Sequence, residues 1–262
     1  MRELKMMVLL LRASTKSQVM YRMDFVIGVI GTLFYNATFL ASVAVITSRF
    51  REIGGFTAWE IVFLFALFEL GHSFYGFFLR NMSSYFNRHV MDGTLDIYFL
   101  RPYEILTQLN GSKMDYTAFV DTFIGLACFV AAYVQLGLQW GMGQWLMLLV
   151  FVASGAFIEF ALSIAMNSVT ILFPNTRSLF GAYYQLVLIG QRYPLSIFSH
   201  GFQALLTFIF PLGFMNYYPA LLLLDKPGGW AGYFAPVVAA LFTWLGIGIF
   251  NRTINYYNST GS

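Results

Sequence analysis

The chain has 262 residues, of which 58% are hydrophobic, 19% aromatic and 10% charged, whereas a soluble domain carries about 25% charged residues. With a mean hydropathy of +0.67 and a formal net charge of only +3, it has too few polar side chains to cover a water-facing surface. Soluble, disordered, collagenous and disulfide-stapled classes are excluded, and the solvent of this fold is lipid. The one cysteine, Cys128, cannot close an internal disulfide and lies in an apolar run, as a small buried hydrophobe does.

In residues 1–24, Arg2, Lys5, Arg12 and Lys16 fall within a sector of roughly 80° on a helix, with Leu4, Met7, Leu10 and Leu11 on other faces. This predicts an amphipathic helix lying in the membrane interface. A crossing helix needs roughly 20 apolar residues at about 1.5 Å each. Such runs predict spans over 25–46, 59–79, 116–136, 144–166 and 230–250, with one more crossing expected over 200–213. The stretch 178–189 is too short to cross alone and reads as interfacial or as a continuation of its neighbours. After Pro211 the chain reads PLGFMNYYPALLLLDKPGGW, which sets Tyr218, Pro219 and Pro227 among apolar residues. Proline breaks helices, and broken backbone at membrane depth must be covered by protein or face a water-filled cavity. A re-entrant element is therefore expected over 214–224. The expected fold is an all-α integral membrane protein, one transmembrane domain of six helices over 1–262.

Orientation follows from the basic residues. Arg2, Lys5, Arg12, Lys16, Arg22, Arg80, Arg88, Arg101, Lys113, Arg177, Arg192 and Arg252 fall on one side of these spans, against Arg49, Arg51 and Lys226 on the other. The positive-inside rule then predicts cytoplasmic termini in a multi-pass plasma-membrane protein. The first apolar run is too long and begins too late for the core of a cleavable signal, so none is expected.

Motifs for chemistry are missing. There is no P-loop, H-E-x-x-H, G-x-S-x-G or paired metal-ligand cysteine motif, so the chain is not expected to be an enzyme or to bind a cofactor itself. Glu69 and His72 stand at helical i, i+3 spacing, but two ligands rarely hold a metal, and none is expected. The acids Glu69, Asp121 and Glu159 lie within spans, while Glu60 lies near a span end. An ionisable group in lipid faces a cavity or a partner, so these acids either hold the bundle together or line a substrate pathway. The second option would make the chain a secondary carrier or channel. Gly28, Gly31, Gly155 and Ala156 permit close helix contact.

The segment 80–115, predicted to be cytoplasmic, contains NRHVMDGTLDIYFLRPYEIL, too polar for lipid and too apolar for a free linker. Leu95, Ile97, Phe99 and Leu100 supply apolar anchors, Arg88, Asp92, Asp96 and Arg101 supply charge, and Gly93 and Pro102 punctuate the piece. A short mixed helix of this kind suits docking into a groove on a soluble partner.

The run MDGTLDIYFLRP at Met91 to Pro102 resembles the G-x-L-D…[RK]-P stretch of the type-2 ABC exporter permeases, in their branch of short six-span chains. RYPLSIF at Arg192 to Phe198 and FPLGFMNYYPALLLL at Phe210 to Leu224 resemble two further landmarks of that branch, in matching order and spacing. The resemblance implies a permease subunit that pairs with a second permease half and binds two cytoplasmic ABC ATPase subunits. ATP and Mg would then sit on those partners, and no nucleic acid is involved. It further implies an elbow helix within 1–24, a coupling interface formed by Arg88, Asp92, Gly93, Leu95, Asp96, Leu100, Arg101 and Pro102, and re-entrant helices around Pro211, Tyr218 and Pro219. An amphipathic or lipid-like cargo is the expected substrate.

Overall fold

The computed structural model describes residues 22–80, 89, 92, 94–100, 104–110, 117–173 and 177–256. The interfacial helix expected over 1–24 lies outside them up to residue 21. Among the described residues no strand forms beyond a single bridge between Ile53 and Phe56, and the chain is otherwise helix and turn.

Among the described residues, five helices are long and apolar enough to cross a membrane: α1 (Arg22–Arg49), α2 (Ala58–Phe78), α5 (Thr117–Gln135), α6 (Met142–Leu172) and α10 (Ala235–Thr253). Helix is the form such segments take in lipid because it satisfies every backbone N–H and C=O within the segment. The start of α2 is fixed locally: Thr57 caps it, and the Glu60 carboxylate accepts the Thr57 backbone N–H at 2.7 Å. The most apolar windows of α2 and α6 are each 67% buried, against 17% for α1 and 22% for the span that contains α10. So α2 and α6 form the centre of the bundle, and α1 and α10 its rim.

Small residues set how closely these helices approach. A Cβ added at Gly246 on α10 would lie 2.8 Å from the Ala161 carbonyl of α6, and one at Gly125 on α5 would lie 3.1 Å from the Glu69 Cβ of α2. Such contacts permit the dispersion packing that drives helix association in a membrane. Of the small residues singled out in the sequence, Gly155 admits a close neighbour, with Met215 O at 3.2 Å from an added Cβ, whereas Gly31 faces open space.

One end of the bundle is closed by the α1–α2 loop, where Gly54 (φ +58°) and Gly55 (φ +81°) take a left-handed backbone that favours glycine. Near it, Trp140, Trp145 and Tyr133 pack ring against ring at the α5–α6 turn, as interfacial aromatics do.

The stretch after residue 177 departs from the expected spans. The segment His200–Ile209, comprising α8 (His200–Ala204) and a π turn, meets Leu212–Leu223 at 74° across Pro211. Its second arm contains α9 (Tyr217–Leu223). The pair is apolar enough for one span, but both its ends meet the same loop: Ser196 Oγ donates to the Gly54 carbonyl at 2.6 Å, and Lys226 Nζ to that of Gly55 at 2.7 Å. The pair therefore enters and leaves on one face of the bundle, and the expectation of a crossing over 200–213 is revised.

The crossing falls to α7 (Arg177–Arg192). Near its middle Tyr183 lies within electrostatic reach of Tyr75 and Glu159, and near its end the Gly190 carbonyl accepts from Asn216 Nδ2, which also reaches Leu64. Tyr75 and Leu64 are separated by roughly 16 Å of α2, so α7 climbs antiparallel to α2 toward the Gly54 face. Its helix, about 24 Å long, is shorter than a full crossing because the turn at Tyr193 to Phe198 completes the path.

Candidate functional site

At the end of the bundle opposite Gly54, two short helices, α3 (Asp96–Phe99) and α4 (Ile105–Asn110), form a platform. Leu95 and Leu109 are fully buried in a cluster with Tyr75, Phe160, Ile164 and Phe250, which seats the platform on α2, α6 and α10. The approach to α3 is pinned by His89, whose ring bonds Thr94 Oγ1 at 2.7 Å through Nδ1 and the Tyr98 hydroxyl at 2.9 Å through Nε2. Gln108 Nε2 then donates to the Tyr98 carbonyl at 3.1 Å, tying α4 to α3.

On the outer side of α3 stand Ile97, Phe99 and Leu100, the last 85% exposed. Asp92 is exposed and Asp96, in the first turn of α3, is half-buried. Of the coupling residues expected from the sequence, Asp92, Leu95, Asp96 and Leu100 are therefore found on this platform, with Leu95 turned inward as its anchor. Arg88, Gly93, Arg101 and Pro102 lie outside the described residues.

A second constellation lies between the platform and the middle of the bundle. The acids expected as a possible pathway come from three helices, and the structure draws two of them into one chain of contacts. His72 Nδ1 is 2.7 Å from Glu159 Oε1, His72 Nε2 is 2.7 Å from Arg80 Nη2, and Arg80 Nη2 is 4.0 Å from Asp121 Oδ2. Arg80 Nη1 also donates to Thr117 Oγ1 at 3.3 Å, and the Tyr75 hydroxyl donates to Ser163 Oγ at 3.0 Å. Glu69 is buried against Gly125 of α5, one turn of α2 before His72. Burying such charges in lipid is tolerated only when they are paired in this way.

Arg80 and His72 hold this network, yet the sequence alone points to neither. Arg80 counts there as a loop charge, and His72 as half of an incomplete metal pair. Helical spacing carries the missing signal: Glu69 and Gly76 share one face of α2, with His72 beside it, and continuing that spacing past the helix end brings Arg80 to the same face. Among the described residues, no group of three or more His, Cys, Asp or Glu is arranged to hold a metal ion.

In the re-entrant pair, Pro211 and Pro219 are buried and Tyr218 is half-buried, its hydroxyl 2.9 Å from Thr207 Oγ1 across the bend. A Cβ at Gly232 would lie 2.7 Å from the Tyr218 carbonyl, so the start of the last span packs directly on α9.

A family model described as ABC-2 family transporter protein matches residues 33–261, nearly the whole of this bundle. The chain belongs to the ABC-2 transporter family. Comparison with curated proteins and with solved structures gives no match. An ABC-2 chain of several membrane-spanning helices is the permease component of an ABC transporter, whose partner is an ABC ATPase subunit.

Proposed function

We propose that this ABC-2 permease is the membrane half of an exporter for an amphipathic or lipid-like substrate. It pairs with a second permease half and is driven by two ATPase subunits that carry ATP and Mg. The Gly54 face is external and the α3–α4 face cytoplasmic, in keeping with the bias of Lys and Arg toward the second face.

One observation carries the reading. Ile97, Phe99 and Leu100 form an exposed apolar edge on a helix too short to stand alone, and the platform beneath that edge is locked to α2, α6 and α10 through Leu95 and Leu109. A cluster of apolar anchors flanked by acids suits a groove on a soluble partner. Closure of the ATPase pair on ATP binding then moves the platform, and the helices seated on it follow as rigid bodies.

The test is purification of the chain from its own membranes and intact-complex mass measurement. A complex of two permease chains with two P-loop ATPase subunits, lost in Leu100→Asp, Asp96→Ala or Arg101→Ala while the permease stays folded, is the expected result. Recovery of the chain alone, or unchanged association in all three variants, overturns the proposal.

A further inference from the structure

The network between α2, α5 and α6 contains a donor and acceptor pattern that fixes the charge of one group. A guanidinium has donors only. Arg80 Nη2, 2.7 Å from His72 Nε2, therefore requires a bare Nε2 lone pair. The remaining ring proton stands on Nδ1, where it donates to Glu159 Oε1 at 2.7 Å. His72 is thus neutral in this arrangement, with both nitrogens engaged and only one tautomer possible.

Around it, Phe68, Tyr75 and Glu69 come from α2, Arg80 from just past its end, Asp121 and Thr117 from α5, Glu159 and Ser163 from α6, and Tyr183 from α7. Three carboxylates face one guanidinium there, so a proton added to the site offsets part of the excess of negative charge. The His72 and Arg80 side chains keep 24% and 20% of their surface, so neither is sealed inside the bundle.

We propose that His72 is a proton-binding site that hands Arg80 between two helices. With His72 neutral, Arg80 bonds to its Nε2, and the chain Glu159–His72–Arg80 ties α6 to the lower end of α2. A proton on Nε2 converts that acceptor into a second donor and places two cations against each other. Arg80 then gives up the ring and draws closer to Asp121 Oδ2, with which it is already paired at 4.0 Å, while the imidazolium keeps Glu159. The fastening at the base of α2 thereby shifts from the ring toward α5. This proposal does not depend on the identity of the transported substrate or of the partner.

The experiment is nitrogen-15 spectroscopy of the full chain, labelled at histidine and arginine and reconstituted in lipid nanodiscs, titrated across the ordinary histidine range of about pH 5 to 8. Only three histidines are present. His72→Gln identifies the signal, and where that variant does not fold, His89→Gln and His200→Gln assign it by elimination. At the upper end His72 is expected to show a proton on Nδ1 and a bare Nε2. Both nitrogens become protonated as pH falls, and the Arg80 guanidinium signal shifts with the same midpoint. In Asp121→Asn the low-pH Arg80 signal departs from that of the wild type. A proton on Nε2 at the upper end, no titration across the range, a stationary Arg80 signal, or an Asp121→Asn spectrum identical to wild type overturns the proposal.

Discussion

Lys226 Nζ lies 2.9 Å from Glu60 Oε1, so the turn that follows the re-entrant pair is fastened to the first turn of α2. The same ammonium donates to the Gly55 carbonyl at 2.7 Å and sits 4.9 Å above the Phe56 ring. Glu60 in turn caps α2 through the Thr57 N–H. Lys226 thus joins the turn after the re-entrant pair to the α1–α2 loop and the start of α2, about 170 residues earlier in the chain, at a single face of the bundle.

A double-mutant cycle on this pair tests the fastening. Lys226→Ala and Glu60→Gln are each expected to lower the melting temperature of the detergent-solubilised chain, with a coupling energy of about 0.5–1 kcal/mol for a partly exposed pair. High salt reduces the coupling. Strict additivity of the two substitutions removes the ion pair from the account of how this face is held.

Leu95 and Leu100, at opposite sides of α3, separate folding from docking. Leu95→Ala empties a fully buried position and is expected to cost about 2–5 kcal/mol, visible as a large drop in melting temperature. Leu100→Asp alters an exposed edge and is expected to change stability by no more than about 0.5 kcal/mol. Its effect is on the partner, a loss of ATPase affinity of at least about tenfold, or ~1.4 kcal/mol, read by titration of the purified subunits.

Gly246→Ala probes the contact between α6 and α10. The new methyl meets the Ala161 backbone carbonyl at 2.8 Å and Ile164 Cγ2 at 3.0 Å. Backbone cannot yield as a flexible side chain does, so a cost of about 1–3 kcal/mol is expected. Gly248→Ala, facing open space on the same helix, is the control and leaves the melting curve near wild type.

Asn216 holds the re-entrant pair to the bundle. Its amide donates to Gly190 O at 3.1 Å and to Leu64 O at 3.4 Å, from a fully buried position between α2, α7 and α9. Asn216→Leu removes both bonds, with an expected cost of about 1–3 kcal/mol. Limited proteolysis at the 224–229 turn is expected to accelerate before the rest of the bundle opens.

The sequence alone determined the lipid solvent, the helical class and the positions of five crossing helices, because long apolar runs can satisfy their backbone in lipid in only one way. It also marked the α3 segment, where the apolar residues Leu95, Ile97, Phe99 and Leu100 stand among Asp92, Asp96 and Arg101 in a stretch unsuited both to lipid and to open water. Which part of 177–224 crosses was not legible there. The α7 helix is short and polar at both ends, while the 200–213 run is the more apolar of the two. Composition ranks them in the reverse of their roles. Only the contacts of Ser196 and Lys226 with one loop decide that the apolar run turns back. The network on α2 was hidden for a similar reason. Glu159 and Asp121 are far from His72 and Arg80 in sequence, and an ion pair within a membrane depends on which helix faces which. Helical spacing can align Glu69, His72 and Arg80 along one helix, but the partners on α5 and α6 are chosen by helix packing, where glycines such as Gly71 and Gly125 allow the close approach.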